Sequence, residues 1–232
     1  MKLEKNDYQI LKGAFSFLLF FMVLEFKYIP FELIGIDANN LPTIFKCIYT
    51  ILTECIVIVI ILIMYKDYIS KCIKDFKKNK NNYFKKYIKY WFIILIATAI
   101  CNLIINLLNN GNIAGNEETV RSILKESPLY TWISAVLIAP IIEELAFRLS
   151  FKSMFKYKWI FIILSGIVFG SFHLIGSVST YYDLLYLIPY SIPGCIFAYT
   201  LYDSDNIIIP MSLHMLHNGV TMSLQILLII FV

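Results

Sequence analysis

The sequence predicts an all-α, polytopic transmembrane helical bundle of about seven spans, and three observations carry that expectation. The chain of 232 residues is 59% hydrophobic and only 16% charged, with a mean hydropathy of +0.72, more apolar surface than a soluble interior can hide. Its apolar runs last about 20 residues, the length that crosses a hydrocarbon core of about 30 Å as a helix. They lack the alternation of a barrel strand, and helices satisfy every backbone polar group within lipid. Five cysteines, Cys47, Cys55, Cys72, Cys101 and Cys195, show no CxxC or metal-ligand spacing, so they read as small apolar fillers rather than a disulfide frame or structural zinc site.

The elements follow in order. A first span is expected over about residues 9–28, uncleaved, because Glu25-Phe26-Lys27 follows its apolar core where a signal peptide would place small residues. A second covers about 43–65, with Glu54 inside it; interhelical pairing or an interfacial position accounts for Glu54 and Glu25. Residues 66–89 carry nine lysines against two aspartates. Ile69, Ile73 and Phe76 recur there at helical spacing, which predicts a basic cytoplasmic loop containing an amphipathic helix that lies on an anionic leaflet; nucleic-acid binding is disfavoured by the flanking spans. The positive-inside rule then places the N-terminus in the cytoplasm. A third span, about 90–109, holds Asn102 and Asn106 four residues apart, a spacing suited to interhelical hydrogen bonds. Residues 110–127 read as a polar outer loop. Ser127-Pro128 reads as an N-cap followed by proline at the first helical position. The fourth helix starts there and runs to about Lys156, where Lys152, Lys156 and Lys158 put positive charge inside again. Spans five (about 159–176), six (about 183–201, bent at Pro189 and Pro193) and seven (about 206–232) complete the chain. Residues 1–126 thus form a leading group of three spans, and 127–232 the part that carries the polar residues. The abundance of Lys, Ile and Asn points to a bacterial plasma membrane as the location.

The fourth helix is expensive to insert. Ile141-Ile142-Glu143-Glu144-Leu145-Ala146-Phe147-Arg148 places three charges near its centre, costing roughly 7 to 10 kcal/mol against a return of about 3 to 6 from the ten Leu, Ile, Val and Phe residues between Leu129 and Leu149. The charges must neutralise one another, do chemistry, or both. Glu144 and Arg148 stand i, i+4 and so share a face, while Glu143 lies about 100° round the helix, free to face a cavity. All three histidines fall in spans five and seven: His173, His214 and His217. Helical rise puts Glu143 about 20 Å and His173 about 22 Å from the inner end, with His214 at about 12 Å, so three helices can present them to one buried site. Phe169 and His173 are i, i+4, as are His214 and Asn218. Gly166 and Gly170 make a GxxxG surface for close helix approach. Pro140 and Pro210 precede the polar groups by three or four residues, where they can free carbonyls and widen a polar pocket.

Glu143-Glu144-x-x-x-Arg148, Phe169-x-x-x-His173 and His214-x-x-x-Asn218, in that order, resemble the three motifs of the CPBP family of CAAX prenyl proteases and bacteriocin-processing or immunity membrane proteins, also called the Abi family. The similarity covers about residues 127–232. It departs from the common pattern at Leu149, where the family often has glycine, and His217 is extra to it. The resemblance implies an intramembrane endopeptidase acting on peptide or membrane-protein substrates. Glu143 would be the general base that activates water, and His173 would hold the water or pass on its proton. His214 and Asn218 would donate hydrogen bonds to the oxyanion, with Glu144, Arg148 and Phe169 in supporting roles. A metal version would use Glu143, His173 and His214 as a zinc set with an open position for water. No HExxH helix is present, and the metal-free, glutamate-dependent version is preferred. Two other classes compete: a non-catalytic binding or bacteriocin self-immunity protein, and a proton-coupled transporter. The transporter reading lacks repeat symmetry and leaves the His214/Asn218 pair unexplained.

Overall fold

The computed structural model describes residues 5–109 and 111–231; residues 1–4, Asn110 of the expected outer connection and Val232 of the expected seventh span lie outside the described residues. All regular structure among the described residues is helical. In chain order the helices are α1 (Lys5–Phe26), α2 (Ile29–Leu33), α3 (Thr43–Met64), α4 (Lys66–Leu108), α5 (Gly115–Glu126), a helical run over 128–154 designated α6, α7 (Lys158–Phe172), α8 (Leu187–Ser204) and α9 (Ile208–Phe231). Among the described residues, four helical stretches are long and apolar enough to cross a membrane: Asp7–Phe26, Thr43–Met64, Lys66–Leu108 and Tyr181–Ser204. α7 is apolar but shorter. The chain is an integral membrane protein of several helices.

Three expectations are corrected. Residues 66–89 are not a loop separate from the third span. They are the first half of α4, a continuous helix of 43 residues. No Gly or Pro interrupts residues 66–108, and lysine is a good helix former, so nothing ends the helix where the apolar half begins. At about 64 Å along its path, α4 is twice the hydrocarbon thickness, so its basic half lies outside the hydrocarbon. Next, the polar connection before Ser127 contains α5. Leu124 and Val120 cover Trp132, Val136, Met222 and Ile226 there, which gives this polar segment an apolar stripe to bury. Finally, α7 ends at Phe172 and not near residue 176, so His173 is its C-cap residue rather than one inside the helix.

Helix α6 starts at Pro128 as the dipeptide predicts, although the Ser127 side chain makes no capping bond. Its core packs tightly against α1. Phe147 meets Phe20 and Phe172 edge-on at ring-centroid distances of 5.3 and 5.1 Å. A β-carbon on Gly13 would lie 2.5 Å from the Ser150 carbonyl oxygen. The leading helices therefore share one hydrophobic core with α6: Val57, Ile58 and Ile61 of α3 pack with Ile142, Leu145 and Phe147. The expected GxxxG surface is used as such. A β-carbon on Gly166 would fall 2.2 Å from Cys195 Sγ and one on Gly170 2.4 Å from Ser191 Oγ, so α7 and α8 touch almost backbone to backbone.

At one end of the bundle, α4 is tied to the α8–α9 turn. Asn206 donates to the Cys72 carbonyl at 2.9 Å and to Asp75 at 3.0 Å. Tyr68 donates to the Asp205 carbonyl at 3.2 Å and Lys152 Nζ to the Asp205 carboxylate at 2.6 Å. Both basic segments, 66–89 and 152–158, thus meet at the same end. Asp205 holds a left-handed backbone conformation, φ 51°, which lets α9 start immediately after α8 ends.

Candidate active site

Helix α6 is not uniformly α. Two stretches, Ser134–Ile138 and Glu144–Leu149, are π-helical and bracket the short α segment Ala139–Glu143. The first has a local cause. The Ala139 N–H reaches back five residues to the Ser134 carbonyl; the next such bond would run from residue 140 to Ala135, but Pro140 has no N–H. The Ala135 carbonyl is taken instead by Asn218 Nδ2 at 2.8 Å. Pro140 thus frees a carbonyl as its position suggests. In the second π stretch the Phe147 carbonyl accepts from Ser165 Oγ at 2.8 Å, and Ser150 Oγ donates to the Leu145 carbonyl at 3.0 Å. Both irregular stretches are held by side chains, one from α9 and one from α7, which satisfies backbone groups that have no water to turn to. Pro210 differs: it lies in the first turn of α9, where its missing N–H costs nothing, and opens no mid-helix pocket.

The junction of the bracketed segment with the second π stretch delivers two carboxylates to one imidazole. His214 Nδ1 is 2.9 Å from Glu144 Oε1, and Nε2 is 3.6 Å from Glu143 Oε2. Glu144 also pairs with Arg148, Oε2 to Nε at 3.3 Å, with both side chains fully buried. Glu143 is the more open carboxylate, its side chain 20% exposed. The i, i+4 pairing of Glu144 with Arg148 is present, and Glu143 is turned elsewhere. The guanidinium lies over the Phe169 ring at 4.1 Å, and the Phe197 and Phe147 rings stand at 5.5 and 5.9 Å. Its charge is met by one carboxylate and aromatic faces, a burial that would be prohibitive without them.

Phe169 stands between the two imidazoles, 4.6 Å from His173 and 5.9 Å from His214. His173 Nδ1 is 3.0 Å from the Phe169 carbonyl. A carbonyl only accepts, so Nδ1 carries the proton and a neutral His173 keeps Nε2 as a free lone pair. This bond also satisfies one of the orphan carbonyls of the α7 C-terminus. Tyr190 stacks on His173 at 4.6 Å and 23°, and Phe197 on His214 at 4.8 Å and 25°. These two aromatics, with Ser165, are the site residues that sequence reasoning missed. Among so many aromatics nothing in the local pattern marks them; only the register of α8 against α7 and α9 does. His217, beside the site, has a buried Nδ1 without a hydrogen-bond partner.

The structure thus joins Glu143, Glu144, Arg148, Phe169 and His214 in one contiguous cluster, with His173 on its far side across Phe169 and Asn218 bonded to the same helix that presents the glutamates. Among the described residues no three His, Cys, Asp or Glu side chains are grouped to hold a metal ion, so the trio Glu143, His173 and His214 does not form a ready ligand set in this arrangement.

Residues 125–220 match the family described as type II CAAX prenyl endopeptidase Rce1-like. That segment contains all three motifs. A protein of Mycoplasma capricolum subsp. capricolum, described as an uncharacterized protein, is 27% identical over 180 residues, covering 72% of this chain and 52% of its own length. The chain therefore spans about half of that relative. No solved structure matches it.

Proposed function

From the CAAX endopeptidase family that residues 125–220 match, we propose that this chain is an intramembrane endopeptidase that hydrolyses peptide bonds of peptide or membrane-protein substrates. One observation carries the proposal: two adjacent carboxylates, one fully buried and one partly open, divide their work across His214. Glu144 is spent on Arg148 and His214 Nδ1, whereas Glu143 is partly open and has no cation of its own. Glu143 is the general base. It takes a proton from water as the water oxygen bonds to the substrate carbonyl carbon, and returns it to the leaving amine as the C–N bond breaks. His173, with Nε2 unprotonated, accepts a hydrogen bond from the water's other O–H and fixes its orientation, with no proton transferred to it. Glu144 is a positioning residue: it accepts from His214 Nδ1 and holds the ring so that Nε2 faces the open side, where the imidazolium form, flanked by Glu143 and Glu144, has an Nε2–H to donate to the oxyanion. Asn218 adds its second amide N–H. The lipid bilayer is the surrounding partner, and the substrate enters from the basic end or laterally. The reading preferred is metal-free.

The test is cleavage of a diverse peptide pool by detergent-purified protein, comparing wild type with Glu143→Gln and Glu144→Gln, with and without a zinc chelator. Wild-type cleavage that survives chelation and falls by at least about a hundredfold in Glu143→Gln is the expected result. Undiminished cleavage by Glu143→Gln sinks the assignment of the base. Activity lost on chelation and restored by zinc assigns the metal version.

A further inference from the structure

A cleft of about 500 Å³, away from the catalytic cluster, is lined by residues that include Gln9, Lys12, Tyr65, Asp67, Lys152 and Lys156. Two of its cations are held in place. Lys12 Nζ sits over the Tyr65 ring at 3.9 Å, and Tyr65 is itself buried and fixed by its hydroxyl to Ser153 Oγ at 3.1 Å. Lys152 is pinned by Asp205 at 2.6 Å and reaches the Leu201 carbonyl at 3.4 Å. Lys156 is exposed and lies two residues beyond the end of α6. Three ammonium groups face one lining carboxylate, Asp67. Counting Asp205 as well, the cleft still has a positive surplus, and Gln9 offers a neutral donor.

The depth of the cleft identifies its occupant. α3 is an apolar helix of 22 residues from Thr43 to Met64, about 33 Å long, which matches a hydrocarbon core of about 30 Å. Tyr65 follows its last residue, so the cleft opens where the hydrocarbon ends and the headgroups begin. Basic recesses between spans at that level suit anionic headgroups. We propose that this cleft binds the phosphate group of an anionic phospholipid, with Lys12 and Lys156 as its principal contacts and Lys152 as the fixed cation at its rear. The contact sits on the last turns of α6, about 15 Å along the same helix from Glu144. It anchors that helix at the bilayer surface and does not depend on the protease reading.

The test uses the full chain in nanodiscs or detergent. Binding of phosphatidylglycerol, phosphatidylcholine and inorganic phosphate is measured by native mass spectrometry for wild type, Lys156→Gln and Lys12→Gln/Lys156→Gln. The expected result is preferential retention of phosphatidylglycerol, weakened about tenfold or more in the double variant and partly in Lys156→Gln, an exposed position where folding is unaffected. Lys77→Gln/Lys80→Gln, an equal loss of charge on α4 outside the cleft, should leave it unchanged. Lys12→Arg/Lys156→Arg should restore it. Phosphate bound without any lipid preference keeps the anion site and assigns it to the free ion. Equal weakening by the α4 control pair, or an acidic peptide that displaces phosphatidylglycerol from wild type, overturns the proposal.

Discussion

Glu143 and Glu144 are neighbours of identical chemistry whose surroundings set them apart. Glu144→Gln leaves the Arg148 guanidinium fully buried with no anion beside it, and breaking a buried pair this way costs about 3 to 5 kcal/mol. A melting temperature lower by about 10 °C is expected, together with lost activity. Glu143→Gln has no such partner to strand, so its melting temperature should stay within about 2 °C of wild type while cleavage disappears. A thermal melt of both variants in the same detergent decides this: equal destabilisation would mean that Glu143 is as structural as its neighbour. The division of labour was half legible in the residues. The i, i+4 spacing showed that Glu144 meets Arg148 and that Glu143 points elsewhere, because both follow from one helix alone. That one imidazole lies between both carboxylates was not legible, since it depends on how α9 is rotated against α6. The expected oxyanion role of Asn218 needs a similar qualification. Its amide already supports the Ala135 carbonyl, so one donor does structural work before any substrate arrives.

At the scale of the element, α6 depends on its neighbours to keep two π-helical stretches. Ser165→Ala removes the hydroxyl that satisfies the Phe147 carbonyl in a dry interior, with an expected loss of about 1 to 3 kcal/mol. Because Phe147 lies one residue before Arg148, kcat should fall with little change in KM; an unchanged kcat alongside a lower melting temperature would confine Ser165 to stability. Gly166→Leu should be more severe. Its β-carbon alone would stand 2.7 Å from the Cys195 backbone nitrogen, a clash that no rotamer relieves, so α7 and α8 must part and His173 leaves its seat under Tyr190. Loss of folded protein on size exclusion is the expected readout. The glycine spacing was legible because close approach has a simple signature, small residues four apart. Pro140 was legible as a source of a free carbonyl. The π stretches were not, as a shift from four-residue to five-residue bonding leaves the apolar pattern intact and is fixed only when Asn218 and Ser165 arrive from other helices. The helical continuity of residues 66–108 was missed for another reason: the change from basic to apolar at Tyr90 looks like a boundary, yet it is a boundary of solvent and not of backbone.

Across the whole molecule, charge and contacts agree on one axis. The lysines of the first half of α4 and those at 152–158 reach the same end through Cys72, Asp75, Lys152, Asp205 and Asn206, while α5 lies with the last turns of α9, where Gln225 donates to Glu117 at 2.5 Å. The basic end should therefore face the cytoplasm, as the positive-inside rule requires of short lysine-rich connections. A cysteine-free background is needed first, since Cys47, Cys55, Cys72, Cys101 and Cys195 are all free thiols. In that background, single cysteines at Lys80, Lys156 and Glu118 are probed in intact cells with a membrane-impermeant maleimide. Lys80→Cys and Lys156→Cys should stay unlabelled until the cells are opened, and Glu118→Cys should react at once. The reverse pattern would invert the protein in the membrane while preserving the fold. Labelling of Lys80→Cys and Lys156→Cys from opposite sides would be incompatible with the fold itself, because the Asn206 bonds to Cys72 and Asp75 and the Lys152 bond to Asp205 join those two segments across a single turn.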